Sequence, residues 1–224
     1  RSDRLHLSGV VAVMELPRFC ELPDELADAA TAAAVVVPIP YDRTSTWHKG
    51  ADRGPKAILE ASHHIEWYDV ASGKETCRQG IATAAGVTTD GPPEELADLV
   101  DRRLTEIFSR GKLAVGLGGD HSVSIGAIRA ASRAFPGLEV LQIDAHADTR
   151  ESYAGSRFNH ACVMARARDW CPIVQVGIRA VDAEEAERLD HERVVWGHQI
   201  NGPGAEAGWQ DRVLEHLGDP VHVT

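Results

Sequence analysis

Short apolar runs alternate along this chain with longer stretches in which apolar side chains recur at helical spacing. The run 32–40, centred on Val35, Val36 and Val37, predicts a buried strand, because β-branched side chains suit an extended pleat. Residues 54–65 open on Gly54-Pro55, and Pro is tolerated in a first helical turn; the predicted helix carries Ile58, Leu59, Ser62 and Ile65 on its inner stripe. Residues 81–87 predict a weaker strand. Over 92–110 an amphipathic helix is predicted: Leu96, Leu99, Val100, Leu104, Ile107 and Phe108 share one face, and Glu94 and Glu95 sit where carboxylates complement the helix dipole. A buried strand follows at 112–117. A helix over 123–134, capped by Ser122 or Asp120 and ended by Pro136-Gly137, leads to a strand at 138–143. Further helices are predicted over 161–170, 183–189 (capped by Asp182) and 206–217, and further strands at 173–176, 194–196 and from 220. Strand and helix alternate from Val35 onward, the pattern of one α/β domain over residues 1–224 whose largely parallel sheet is covered on both faces. Residues 1–31 show little beyond a short helix at 23–30 and read as an N-terminal extension.

Composition narrows the function classes. A chain of 224 residues that is 43% hydrophobic can bury one sizeable core. The net charge of −11 argues against a nucleic-acid partner, which favours a basic surface, and is compatible with small cationic substrates. No stretch approaches the ~20 apolar residues of a membrane span, and the run Val10–Val13 is too short for a signal peptide. Cys20, Cys77, Cys162 and Cys171 show no C-x-x-C pairing, so free thiols in a reducing cytoplasm are expected.

Candidate chemistry concentrates where the strand at 138–143 runs out. Asp144, His146 and Asp148 occupy alternate positions, and alternate residues of a strand share one side, so the three can converge. Nitrogen and oxygen ligands without thiolate favour Mn, Fe, Co or Zn. Taken alone, such a triplet also fits a helix-capping Asp beside a surface His. One strand–helix unit upstream, Gly118-Gly-Asp-His121-Ser122 forms a tight turn, read by itself as either a phosphate nest or a capped loop. A crossover of this length makes the two strands parallel neighbours, so His121 and Asp144 are expected together at the carboxyl edge, where open α/β sheets bind ligands. His63-His64 is expected to take surface or packing roles, because adjacent helical residues diverge by about 100° and do not easily chelate one ion.

The two motifs, with the segment 148–164 that contains His160, resemble the ureohydrolase family of arginases and agmatinases, most closely its agmatinase branch. The resemblance runs from about Val35 to Thr224 and implies an arginase-like three-layer sandwich. It also implies two Mn²⁺ ions: His121 and Asp148 on one, His146 on the other, Asp144 bridging both. His160 would be a catalytic loop histidine beside Asp144, and Asp182 would border the substrate's amine end in addition to its cap role. Trp47 and His48 lie in a segment that would border the mouth of the site. The implied reaction is hydrolysis of a small cationic guanidine, agmatine to putrescine and urea. The alternatives are guanidinobutyrate, arginine or a formimino amino acid as substrate, or a non-catalytic relative. Arg150 stands where arginases carry Asn, which disfavours arginine. A cytoplasmic homo-oligomer, trimer or hexamer, is implied as well. The family's later D-x-D motif and a further Glu do not occur before Thr224, so a C-terminally incomplete chain with no working binuclear centre is expected. The chemistry calls for two cations because guanidinium is a poor electrophile, and water between two divalent ions ionises far below its bulk pKa of about 15.7. A histidine near neutrality can protonate the leaving amine.

Overall fold

The computed structural model describes residues 16–224; the apolar run Val10–Val13 lies outside them. In chain order the elements are α1 (Asp24–Ala27), β1 (Ala34–Ile39), α2 (Gly54–Ala61), β2 (Ile81–Thr83), α3 (Pro93–Phe108), β3 (Leu113–Gly118), α4 (Val123–Ala134) and β4 (Glu139–Ile143). Then come α5 (Val163–Ala167), β5 (Ile173–Ile178), α6 (Ala183–Arg188), β6 (Val194–Trp196), α7 (Gly197–Ile200), α8 (Trp209–Glu215) and β7 (Val221–Val223). Every pairing between these strands is parallel. Among the described residues they pair in two groups, ordered β2-β1-β3 and β6-β5-β4-β7, so β3 and β4, expected as paired neighbours, are not paired with each other.

Helix α4 joins the two. Val123, Ala127 and Ala130 pack into the cluster of Val35, Val37 and Leu96 over the first sheet. Its Ile125, Ile128 and Ala131 belong to the cluster of Val140, Val163 and Met164 over the second. Each such fully buried Ile or Leu contributes roughly 1.5–3 kcal/mol. The approach of α4 to α3 depends on Gly126, where an added Cβ would lie 2.3 Å from the Ala97 carbonyl oxygen. The charged rims of the same helices are tied by Arg129, whose Nε donates to Asp101 at 2.8 Å and Nη2 to Asp98 at 2.6 Å. Helix α8 packs on the second sheet, with Val213 against Val174, Val176 and Val195.

Three further expectations are corrected. Strand β3 is not buried: Leu113 is 65% and Val115 40% exposed, because among the described residues β3 pairs with β1 alone. Only Leu59 and Ser62 of the stripe on 54–65 are buried, while Ile58 and Ile65 are 47% and 52% exposed. The helix ends at Ala61 and a 3₁₀ turn follows, which breaks the period before Ile65. The helices expected over 161–170 and 206–217 shorten to α5 and α8; the first begins as a 3₁₀ turn at His160–Cys162. All four cysteines are buried free thiols.

Candidate metal centre and cleft

The first ligand is placed by a glycine. Where β3 runs out, Gly119 N donates to Ile39 O and Asp120 N to Tyr41 O, locking the turn against the end of β1. A Cβ on Gly119 would lie 1.9 Å from Tyr41 O, so no other residue fits without displacing the loop. The buried Asp120 carboxylate accepts from Ser122 N at 3.0 Å and Thr44 N at 2.9 Å. Asp120 therefore braces the start of α4; Ser122 makes no side-chain cap bond. His121 is thereby aimed toward the end of β4.

On the neighbouring sheet, Asp144 N still donates to Val176 O at 3.0 Å, extending the pairing of β4 with β5 one residue past the strand. Asp148 sits at φ 52°, a left-handed conformation unusual for a residue with a side chain. It is held there because its carbonyl accepts from Met164 N and Ala165 N, at the start of α5. His121 Nδ1 then lies 2.6 Å from Asp148 Oδ2 and 3.5 Å from Asp144 Oδ2. One ligand atom from each of His121, Asp144 and Asp148 falls within 4.8 Å of the others. An imidazole nitrogen and two carboxylates at this spacing fit a borderline divalent cation. His146 stands apart from this trio, two-thirds exposed, with Nδ1 3.5 Å from Asp144 Oδ1, on the side open to the cleft. Buried Gln142 supports the strand end: its Nε2 donates to His146 O at 3.1 Å, and Gln175 Nε2 donates to Ala147 O at 2.9 Å.

A cleft of about 410 Å³ opens beside the ligands, lined by His146, Asp148, Arg150, Tyr153, His160 and Asp182 among others. His160 is held by Thr44, whose hydroxyl accepts from His160 N at 3.1 Å and lies 3.3 Å from its Nδ1. Thr44 thus links His160 to Asp120 and the His121 turn. Asp182 caps α6 as expected, accepting from Glu185 N at 2.8 Å within a capping box. Glu185 is buried and accepts from Thr149 N and Thr149 Oγ1 at 3.0 and 3.2 Å. Arg150 bridges Asp182 and Glu185. Burial alone would lower the Arg150 pKa; the Glu185 hydrogen bond and the charges of Glu185 and Asp182 outweigh it and raise the pKa instead.

The structure therefore gathers His121, Asp144 and Asp148, and sets His146, His160 and Asp182 around the adjoining cleft. Trp47, 87% exposed, stacks edgewise on His48 and neither lines it; Thr46 does. His63 bonds near the surface, with Nε2 3.1 Å from Arg18 O. Thr44, Tyr153 and Glu185 escaped the sequence reading. Only Glu185 carried a signal, as the fourth residue of the capping pattern that begins at Asp182.

A parallel α/β scaffold with a histidine–carboxylate cluster at the carboxyl edge defines the class, an open-sheet protein with a divalent-metal centre in prospect. The arginase-family model matches residues 32–224, and the chain belongs to that family. It is 37% identical over 189 residues to the N(1)-aminopropylagmatine ureohydrolase of Synechocystis sp., covering 79% of this chain and 61% of the relative. A protein of the same name from Thermus thermophilus is 36% identical over 198 residues, with 86% of this chain and 66% of the relative covered. The chain thus spans about 61–66% of the length of these curated relatives. Among solved structures, the agmatine ureohydrolase of Thermoplasma volcanium superposes with a TM-score of 0.80 at 29% identity, covering 94% of this chain and 71% of that one.

Proposed function

We propose that this protein is a manganese-dependent ureohydrolase that releases urea from a small cationic guanidine of the agmatine kind. The observation that carries the reading is the convergence of His121, Asp144 and Asp148 beside a cleft that His160 also lines. His121 and Asp148 would hold one ion and His146 a second, with Asp144 between them. Two divalent cations bound there supply Lewis acidity that lowers the pKa of water and polarises the guanidinium. Asp182 offers a partly exposed carboxylate to the cationic end of the substrate. Water adds to the guanidinium carbon, the C–N bond to the alkyl nitrogen breaks, and the two protons of the water pass in turn to that nitrogen, giving urea and an alkylammonium ion. His160, at the cleft wall and oriented by Thr44, would hold and deliver the proton that lets this nitrogen leave.

The names of the Synechocystis and Thermus relatives support a second substrate, agmatine extended by an aminopropyl group. The mixed nitrogen and oxygen donor set favours Mn over Mg, which prefers oxygen ligands and retained waters. The test is urea release from agmatine and aminopropylagmatine by metal-stripped protein resupplied with Mn or Mg. Recovery with Mn above Mg supports the reading; full turnover in excess chelator refutes it. As a cytoplasmic homo-oligomer, trimer or hexamer, the protein should give a matching mass by light scattering.

A further inference from the structure

Beside the ligand cluster, the cleft wall carries an ion network of its own. Arg150 Nη2 lies 3.0 Å from Asp182 Oδ2, and Nε lies 3.4 Å from Glu185 Oε2. The guanidinium carbon stands 4.9 Å over the centre of the Tyr153 ring, and that ring meets His160 edgewise at 5.8 Å. A planar fork held by two carboxylates and one aromatic face has little freedom. Its backbone is fixed as well, since Arg150 N donates to Ala161 O at 3.1 Å. The two carboxylates are not equivalent. Both border the cleft, but Glu185 is buried and already accepts from Thr149, whereas the Asp182 side chain remains 45% exposed.

We propose that Arg150 is a specificity-determining residue, a built-in counter-ion that occupies the acidic end of the cleft and sets how the charge at the far end of a guanidine is read. The proposal rests on the reading that the cleft takes guanidines. With Arg150 in place the wall carries two carboxylates and one guanidinium, so a distal ammonium meets a single surplus negative charge. A distal carboxylate still finds a guanidinium hydrogen-bond donor. Without Arg150 neither negative charge is compensated, and the exposed Asp182 carboxylate is the one a substrate reaches. Arg150 therefore moderates the preference for cationic tails, and it does so through substrate binding rather than through the chemical step.

The experiment compares wild type with Arg150→Met, which keeps the stem over Tyr153, Arg150→Lys, which keeps the charge, and Asp182→Asn. The probes end in an ammonium (agmatine), a carboxylate (4-guanidinobutanoate) or a methyl group (butylguanidine). Half-exposed ion pairs should move each charged tail by about threefold in opposite directions, so Arg150→Met raises the ammonium-to-carboxylate ratio of kcat/KM by about tenfold, mainly in KM. Arg150→Lys, which keeps the charge but loses the fork, should give a ratio between those of wild type and Arg150→Met, and Asp182→Asn should lower the ratio. Calorimetric binding of 1,4-diaminobutane against 4-aminobutanoate reads the same wall without turnover and should shift in the same sense. Absence of urea from every guanidine together with a shifted binding ratio would refute the proposed function and leave the role of Arg150 standing. An unchanged ratio in both measurements, or one that falls in Arg150→Met, overturns the proposal.

Discussion

Two acidic clusters border the same cleft, and they are built in opposite ways. Asp182 and Glu185 are neutralised from within by Arg150, and Glu185 is further saturated by Thr149. Asp144 and Asp148 have no guanidinium or ammonium partner among the described residues; their close partners are His121 and His146, which compensate charge only when protonated. Carboxylates brought this close repel one another unless a cation or proton lies between them. The difference separates a wall that is complete as folded from a cluster whose chemistry calls for an external ion. Asp148 keeps its left-handed backbone conformation because Met164 N and Ala165 N hold its carbonyl, and strain persists where the surrounding bonds over-determine it.

The largest effect is expected at the ligand cluster. His121→Ala or Asp148→Asn should lower bound manganese and urea release by at least about a hundredfold, more than the roughly 10–100-fold typical of residues one shell out. Metal analysis with a urea assay checks this, and unchanged metal content in both variants would refute the ligand assignment. Next in size is Gly119→Ala, which forces a methyl group into Tyr41 O and should destabilise the fold by about 3 kcal/mol. Denaturant unfolding measures it; a shift under about 0.5 kcal/mol, the usual scale of a surface change, would mean the turn relaxes freely. On the wall, Glu185→Gln keeps the shape and removes the charge that Thr149 and Arg150 share, costing about 1–3 kcal/mol while metal binding persists. Loss of the metal in that variant would show that the two clusters are one unit.

The smallest effect is expected at buried Cys162. Burial, the largest cause, pushes its thiol from 9.0 up to about 11, which Arg166 only partly opposes. A group whose folded pKa is raised adds stability that is intact below the unfolded value and lost as pH climbs to the folded one. Stability should therefore decline between pH 9 and about 11, and Cys162→Ala should remove that component of the decline. Thermal melts over this range decide it, and identical slopes in variant and parent would contradict the assignment.

Much of the fold was legible because local geometry has fixed periods. Helix α4 occupies the residues 123–134 that its apolar spacing marked, β1 and β4 fall inside the apolar runs that announced them, and β5 starts at the expected Ile173 and continues to Ile178. The same rule misled at Ile58 and Ile65, since the pattern says which residues share a face but not whether anything covers it. It misled again at β3, where apolar content suggested burial and pairing with β1 alone, among the described residues, left Leu113 in solvent. The site divides along the same line. Alternate spacing on one strand end proposed Asp144, His146 and Asp148 together, yet the tight cluster takes His121 in place of His146. Which imidazole approaches the two carboxylates depends on loop direction after the strand ends, where period-two alternation no longer holds.

What the sequence determined by itself was the set of donor types and the strand–helix order that brings them to one edge, because both follow from side-chain chemistry and from repeats of about 3.6 and 2 residues. Only the tertiary structure decided that His121 meets Asp148 across 27 positions of chain and that Arg150 turns to Asp182 and Glu185. It also decided that Thr44 connects the two histidine-bearing loops. Those contacts join segments far apart in sequence, and their energies exist only once the strands have chosen neighbours and fixed the distances over which charge and hydrogen bonding act.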